Sequence, residues 1–256
     1  MTIYYSLCFF LLGSILGSFY NVVGYRLPKG ESLLYPSSHC TNCNHKLMPW
    51  ELVPIFSFLF LRGKCSKCKQ KISWFYPLFE TASGLLFMIA FLIFGFSYEL
   101  LIALTFISLI LIITISDYHY MIISDEVLIF FTLLISIEIF CVYGYKVLLY
   151  RILIAFISGI IMFLLKKLGD FLFKKESMGG GDIKLLFVLG LTLGWPLAII
   201  SIFLAAIIGL PIALIICIRK KDHILPFGPF LGMSAILILF SKIDINQIID
   251  FLTITK

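Results

Sequence analysis

The feature that most constrains this chain is a series of apolar segments, each about as long as a membrane is thick. A helix that crosses a hydrocarbon core of roughly 30 Å needs about 20 apolar residues. The sequence offers eight candidates, with ends placed to within about four residues: 3–25, 76–96, 98–116, 123–143, 147–166, 183–195, 197–218 and 227–243. With 61% hydrophobic and 13% charged residues, the chain cannot present a water-compatible surface. We therefore predict an all-α polytopic membrane protein with about eight transmembrane helices.

The first apolar segment begins close to Met1. It lacks the basic start and the small-residue cleavage site of a secretory signal peptide. We expect it to remain in the protein as the first transmembrane helix.

Lysine and arginine residues are distributed unevenly between the segments that join these spans. If residues 26–74 are cytoplasmic, alternation of the spans leaves four of the 20 Lys and Arg on the opposite side: Lys146, Arg151, Lys242 and Lys256. Positive charge favours the cytoplasmic face of a membrane protein, so we expect this orientation. Topology and attraction to anionic membrane lipid then explain the net charge of +6, and no nucleic-acid partner is expected.

The longest polar segment contains two C-x-x-C pairs with 21 residues between them: Cys40 and Cys43, then Cys65 and Cys68. Each pair presents two thiolates from one turn, and two such turns form a tetrahedral metal site. Four thiolates leave no coordination position for water or substrate, so we predict a structural Zn²⁺ rather than a catalytic one. Disulfides, redox-active thiols or ligation by the flanking His39 and His45 are the alternatives. A cytoplasmic location disfavours lasting disulfides.

Two carboxylates stand at the edges of apolar segments on the predicted cytoplasmic face. Asp182 follows Gly179, Gly180 and Gly181 at the start of the short sixth segment, and Asp117 follows the third segment. Ionisable groups at a membrane edge are costly, so two that can meet favour shared acid–base chemistry. Asp182 could instead cap the following helix, and Asp117 could be an ordinary loop carboxylate. Glycine leaves room for an extended peptide beside the carboxylate, which favours the functional interpretation.

Several sequence blocks occur in order along nearly the whole chain. In the C-terminal part they are Asp117 with Asp125 eight positions later, G-G-G-D-I-K-L at 179–185 and P-F-G-P-F at 226–230. In the N-terminal part they are the two cysteine pairs and residues 17–23, 26–28, 61–65 and 76–80. Together these blocks resemble the bacterial type IV prepilin peptidases, membrane aspartyl proteases with a G-x-G-D motif.

The resemblance implies cleavage of type IV prepilin or pseudopilin leader peptides at the cytoplasmic side, after a glycine and before the substrate's apolar helix. It implies Asp117 and Asp182 as the catalytic pair. The glycines 179–181 are expected to receive the substrate backbone, and Lys184 an acidic substrate side chain. The resemblance also implies N-methylation of the new N-terminal residue with S-adenosylmethionine, for which the sequence itself shows no binding fingerprint.

One position departs from the family pattern. The family usually has proline where this chain has Ser124, just before Asp125. Without proline's fixed backbone angle, the loop after Asp117 is expected to be looser. Asp125 is itself a competing catalytic candidate, but Ser124, Asp125 and Glu126 are typical of a capped, acidic first turn of a helix.

The expected organisation is a first transmembrane helix over 1–25, a cytoplasmic zinc-binding insertion over 26–75 and a multi-helix membrane peptidase domain over 76–256. One alternative is a peptidase without methyltransferase activity. Another is a zinc-stabilised membrane transporter or assembly scaffold. A transporter would need polar groups near the bilayer midplane, where candidates such as Glu138 are sparse.

Overall fold

A computed structural model of the chain describes residues 1–174, 176, 178–219 and 225–242. Within these residues the structure is all-α, which confirms the predicted fold class. The helices are α1 (Thr2–Arg26), α2 (Phe56–Phe60), α3 (Phe75–Phe94), α4 (Tyr98–Tyr120), α5 (Asp125–Tyr143), α6 (Tyr145–Phe173), α7 (Gly180–Leu193), α8 (Leu197–Arg219) and α9 (Gly228–Ser241).

Six helices of the described residues are long and apolar enough to cross a membrane: α1, α3, α4, α5, α6 and α8. Helices α7 and α9 have 14 residues each. At 1.5 Å per residue such a helix is only about 21 Å long, less than the hydrocarbon thickness. Helices therefore occupy all eight predicted places, but two of them are shorter than a full span. The predicted end of the last segment at 243, like Lys256, lies outside the described residues.

The chain divides into two compact units, Met1–Leu100 and Leu101–Lys256. In the first unit α1 and α3 approach closely, since a Cβ at Gly17 would lie 2.7 Å from the Cβ of Ser83. The Ser83 hydroxyl also donates a hydrogen bond of 2.6 Å to the Gly13 carbonyl. Small residues and hydrogen bonds between helices are typical of helix association in lipid. The polar segment with the cysteines lies between the end of α1 and the start of α3, and its standing as a separate domain stays a prediction.

Helices α4 and α7, which carry the two candidate carboxylates, are the most enclosed helices of the second unit. Phe106 and Ile107 of α4, and Leu185 and Leu189 of α7, are fully buried. The outer faces of α5, α6 and α8 instead expose many large apolar side chains. Lipid is the environment that covers such faces without a free-energy cost. The neighbouring helices thus shield α4 and α7 from lipid.

Candidate active site

Asp117 lies in the last turn of α4 and exposes 6% of its surface. Its Oδ2 atom accepts a hydrogen bond of 2.9 Å from the backbone N–H of Gly228, the first residue of α9. The first N–H groups of a helix lack partners within the helix and carry partial positive charge. Helix α9 therefore directs its N-terminus at this carboxylate. A side chain at position 228 would displace Asp117, because a Cβ there would lie 2.6 Å from Asp117 Oδ2.

Asp182 lies in the first turn of α7 and exposes 7% of its surface. The N-cap of this helix is Gly179, so Asp182 occupies the third helical position, from which a carboxylate can reach back to the N-cap N–H. Burial and, second, the neighbouring Asp117 carboxylate raise the pKa of Asp182 to about 7, while a hydrogen bond from the Gly179 backbone opposes the shift. The structure thus brings together the two carboxylates that the sequence singled out.

The three glycines before Asp182 have different surroundings. A Cβ at Gly181 would lie 2.9 Å from the Cβ of Ile123, so this glycine permits the close approach of α7 to the loop after α4. A Cβ at Gly180 would meet nothing within 4 Å. A Cβ at Gly179 would lie 3.7 Å from Asp182 Oδ2, an ordinary contact. Space beside Asp182 is therefore found at Gly179 and Gly180, whereas Gly181 has a packing role.

Lys184 forms an ion pair with Asp125 across the same end of the unit. Its Nζ atom lies 2.7 Å and 2.8 Å from the two carboxylate oxygens. Asp125 begins α5 with Ser124 at the N-cap position, as the sequence predicted, but the Ser124 side chain makes no capping hydrogen bond. The φ angle of Ser124 is −69°, close to the value that proline would impose. The serine therefore retains the backbone conformation expected of the family's proline.

The four cysteines converge in the first unit. Their Sγ atoms all lie within 4.8 Å of one another. The separation is 3.7 Å between Cys40 and Cys68 and 3.9 Å between Cys43 and Cys65. A tetrahedral zinc ion with bonds of about 2.3 Å requires sulfur–sulfur separations of about 3.8 Å. The cluster therefore has the geometry of a four-cysteine metal site.

The two histidines that flank the first cysteine pair have other partners. His45 Nε2 lies 3.2 Å from Oε2 of the buried Glu51. The same oxygen accepts the backbone N–H of Met48 at 2.7 Å. His39 Nδ1 lies 2.9 Å from the Ser37 carbonyl. Glu51 and His45 thus stabilise the segment next to the cysteines. The four cysteines supply all the ligands of a tetrahedral site, so no histidine is needed.

Sequence reasoning missed two contacts of the carboxylate site. It assigned no role to Gly228, and it did not pair Asp125 with Lys184. A signal for the first exists, because a glycine directly before Pro229, at the start of an apolar helix, marks a helix N-terminus that another group can approach closely. No local signal predicts the ion pair, since its members are 59 residues apart.

Two family models match the chain. Residues 11–94 match the bacterial peptidase A24 N-terminal domain, and residues 104–214 match the type IV leader peptidase family. A prepilin leader peptidase/N-methyltransferase of Bacillus subtilis (strain 168) is 37% identical, over 89% of this chain and 91% of the relative. Proteins of the same name from Pseudomonas putida and Neisseria gonorrhoeae are 30% and 31% identical, over 88% and 94% of this chain and 86% and 92% of the relatives. No solved structure matches the chain.

The matched regions contain both carboxylates, Asp117 of α4 and Asp182 of α7, as well as the four cysteines. Membership of a peptidase family sets aside the alternative of a transporter or scaffold. The chain belongs to the type IV leader peptidase family and is a multi-pass membrane peptidase.

Proposed function

We propose that this protein cleaves the leader peptides of type IV prepilins or pseudopilins after a glycine, with Asp117 and Asp182 as the catalytic pair. The observation that carries the proposal is that two buried carboxylates from different helices lie near enough for Asp117 to raise the pKa of Asp182. Asp117 ends α4 and accepts the first N–H of α9, and Asp182 lies in the first turn of α7. The substrate class comes from the names of the relatives.

The proposed reaction uses one proton shared by the pair. Like charges held close disfavour ionisation of both groups, so one carboxyl stays protonated near neutral pH. The ionised carboxylate takes a proton from water as the water oxygen attacks the scissile carbonyl carbon, and the other carboxyl protonates the carbonyl oxygen. The carbon–nitrogen bond then breaks as the leaving amine receives a proton from the pair and a hydroxyl group of the tetrahedral intermediate returns a proton to the pair. No covalent intermediate forms, and the proton belongs to the pair rather than to either aspartate alone.

We assign substrate contacts to Gly179 and Gly180, to the backbone of Gly181, which also packs on Ile123, and to Lys184. The open space at Gly180 leaves room for an extended peptide backbone next to Asp182. Lys184 is held by Asp125, so an acidic substrate side chain would replace that carboxylate at the ammonium group. Both members of the ion pair are more than half exposed, and exchange of an exposed pair costs little free energy.

The distribution of charge around α6 and α7 supports a cytoplasmic location of the site. Lys166 lies near enough to Asp182 to favour its ionised form, and Lys184 stands in the same region. At the other end of α7, Arg151 donates a hydrogen bond of 2.8 Å to the Thr192 carbonyl. Lysine-rich ends favour the cytoplasmic face of the membrane.

The proposed role of the four cysteines is to hold a structural Zn²⁺. A closed four-thiolate site supplies no open coordination position, so the ion would contribute folding free energy to a short polar segment rather than chemistry. About fifty residues make a small core without such a cross-link.

N-methylation of the new N-terminal residue, with S-adenosylmethionine as the methyl donor, is the second proposed activity. It is supported by the names of the relatives, and we assign no residue to the donor. A peptidase without this activity is the alternative. The two differ in one observable, since methylation makes the cleaved product heavier by one methyl group.

The test incubates the purified protein in detergent with a prepilin-like substrate, with and without S-adenosylmethionine, and measures product mass. We expect Asp117→Asn and Asp182→Asn each to lower cleavage by about 10³-fold or more, because each removes half of the proton relay. Glu126→Gln is the matched control, an exposed carboxylate in the first turn of α5 changed in the same way. Substrate left intact by the wild-type protein, or normal turnover by either aspartate variant, would refute the proposal. A cleaved but unmethylated product would support the alternative.

A further inference from the structure

A groove of about 620 Å³ runs between α5, α6 and α7 in the second unit. Its walls are apolar for most of their length and include Leu128, Ile129, Phe156, Ile160 and Phe187. The ion pair of Asp125 and Lys184 stands at one end. The groove therefore offers a polar end followed by an apolar channel.

The polar end adjoins the candidate active site. Ile183 and Lys184 line the groove and directly follow Asp182 in α7. Asp125 begins α5 just after the loop whose Ile123 packs against the glycine segment. A peptide with its scissile bond at the aspartate pair therefore has the polar end of the groove within one turn of α7.

We propose that this groove binds the apolar helix that follows the cleavage site of the substrate, an inference that rests on the proposed function. Such a substrate is polar before the scissile bond and apolar after it. The groove likewise has a polar end next to the active site and apolar walls beyond it. The ion pair offers a cation to a substrate carboxylate and an anion to the amine that cleavage releases. The volume of the groove is in the range of protein sites that enclose several apolar groups.

The α6 wall contains a glycine that suits a helix as the occupant. Gly159 lines the groove, and glycine allows the backbones of two membrane helices to approach closely. A Cβ at this position would meet Phe187 at 3.8 Å, an ordinary contact. Gly159→Leu therefore adds bulk to the groove without disturbing the packing of α6 on α7 at the Cβ.

The test compares two synthetic substrates with the same basic leader and cleavage site, one with and one without a following apolar helix. We expect Gly159→Leu to lower about tenfold the ratio of kcat/KM for the longer substrate to that for the shorter one. Leu165→Trp is the control, since Leu165 is on the opposite face of the same helix, 44% exposed and outside the groove. An unchanged ratio in Gly159→Leu would overturn the groove assignment. A wild-type protein that cleaves neither substrate would instead refute the proposed peptidase function.

A second measurement separates the substrate helix from lipid as the occupant. A photo-crosslinking residue is placed at Ile160, in the groove, or at Leu165, on the opposite face of α6, in proteoliposomes that contain the longer substrate. We expect the probe at Ile160 to capture the apolar part of the substrate and the probe at Leu165 to capture lipid. Capture of lipid alone from position 160 at saturating substrate would overturn the inference.

Discussion

Replacing Gly228 with alanine should displace Asp117 while every catalytic group stays chemically unchanged. The new Cβ would lie 2.6 Å from Asp117 Oδ2 and 3.3 Å from its Cγ. Close carbon–oxygen contacts in proteins are about 3.3–3.6 Å, so the carboxylate oxygen must move by about 0.7 Å or more. Both residues belong to helices, α4 and α9, so backbone movement would disturb the packing of either helix. Rotation of the Asp117 side chain, away from the Gly228 N–H, is the less costly response.

The size of the effect follows from this geometry. The 2.9 Å hydrogen bond from the helix N-terminus would be lost or lengthened. A hydrogen bond to a charged group contributes about 1.5–3 kcal/mol, and a misplacement of about 1 Å can lower a rate about 10²-fold. The lost hydrogen-bond free energy and the lower rate both describe the same displacement of Asp117, so the two effects are not summed. We expect kcat to fall about 10²-fold, with a smaller change in KM because the glycine segment and Lys184 are untouched.

The assay measures kcat and KM of Gly228→Ala on a prepilin-like peptide in detergent, beside thermal unfolding to establish that the protein is folded. Met233→Ala is the control, since Met233 is on the same helix and half exposed. Wild-type turnover in a folded Gly228→Ala protein would refute the argument that the start of α9 holds Asp117 in its catalytic position.

Two further predictions concern the shared proton and the cysteine cluster. Burial and the Asp117 carboxylate raise the pKa of Asp182 to about 7, so the pair loses its proton as the pH rises through that value and kcat should fall between about pH 6 and 8; a rate that increases steadily across this range would contradict the assignment. Cys65→Ser should lower both the zinc content of the purified protein and its thermal stability, whereas Cys8→Ser, in α1 and outside the cluster, should change neither. Equal zinc content in Cys65→Ser and wild type would contradict the structural-metal assignment.

Much of the fold is predictable from the sequence because the membrane imposes a local rule. A segment that must satisfy its backbone without water becomes a helix, so runs of apolar residues locate helices wherever they occur. The cysteine pairs are also a local signal, since their spacing alone places two sulfur atoms on each turn. Helix ends are less well defined. Helix α6 extends from Tyr145 to Phe173, beyond the predicted apolar span 147–166, because the helix continues through the charged residues Lys166 and Lys167.

The role of Asp182 cannot be predicted from its local sequence alone. Capping and catalysis were both compatible with a carboxylate after three glycines. In the structure Gly179 is the N-cap and Asp182 is a buried third-position residue close to Asp117. The glycines also differ in their surroundings: Gly181 packs on Ile123, whereas Gly180 has free space around its Cα. These distinctions depend on neighbours from other helices, which the sequence of the segment does not contain.

The sequence by itself determined the membrane class, the four-cysteine cluster as a candidate and the two aspartates as the pair to test. Composition, spacing and charge carry that information without reference to distant residues. Only the tertiary structure decided that the start of α9 binds Asp117, that Lys184 is paired with Asp125 and that an apolar groove begins at this ion pair. The hydrogen bond from Gly228 joins residues 111 positions apart. Such contacts are set by how helices pack, which is a property of the whole unit rather than of any one segment.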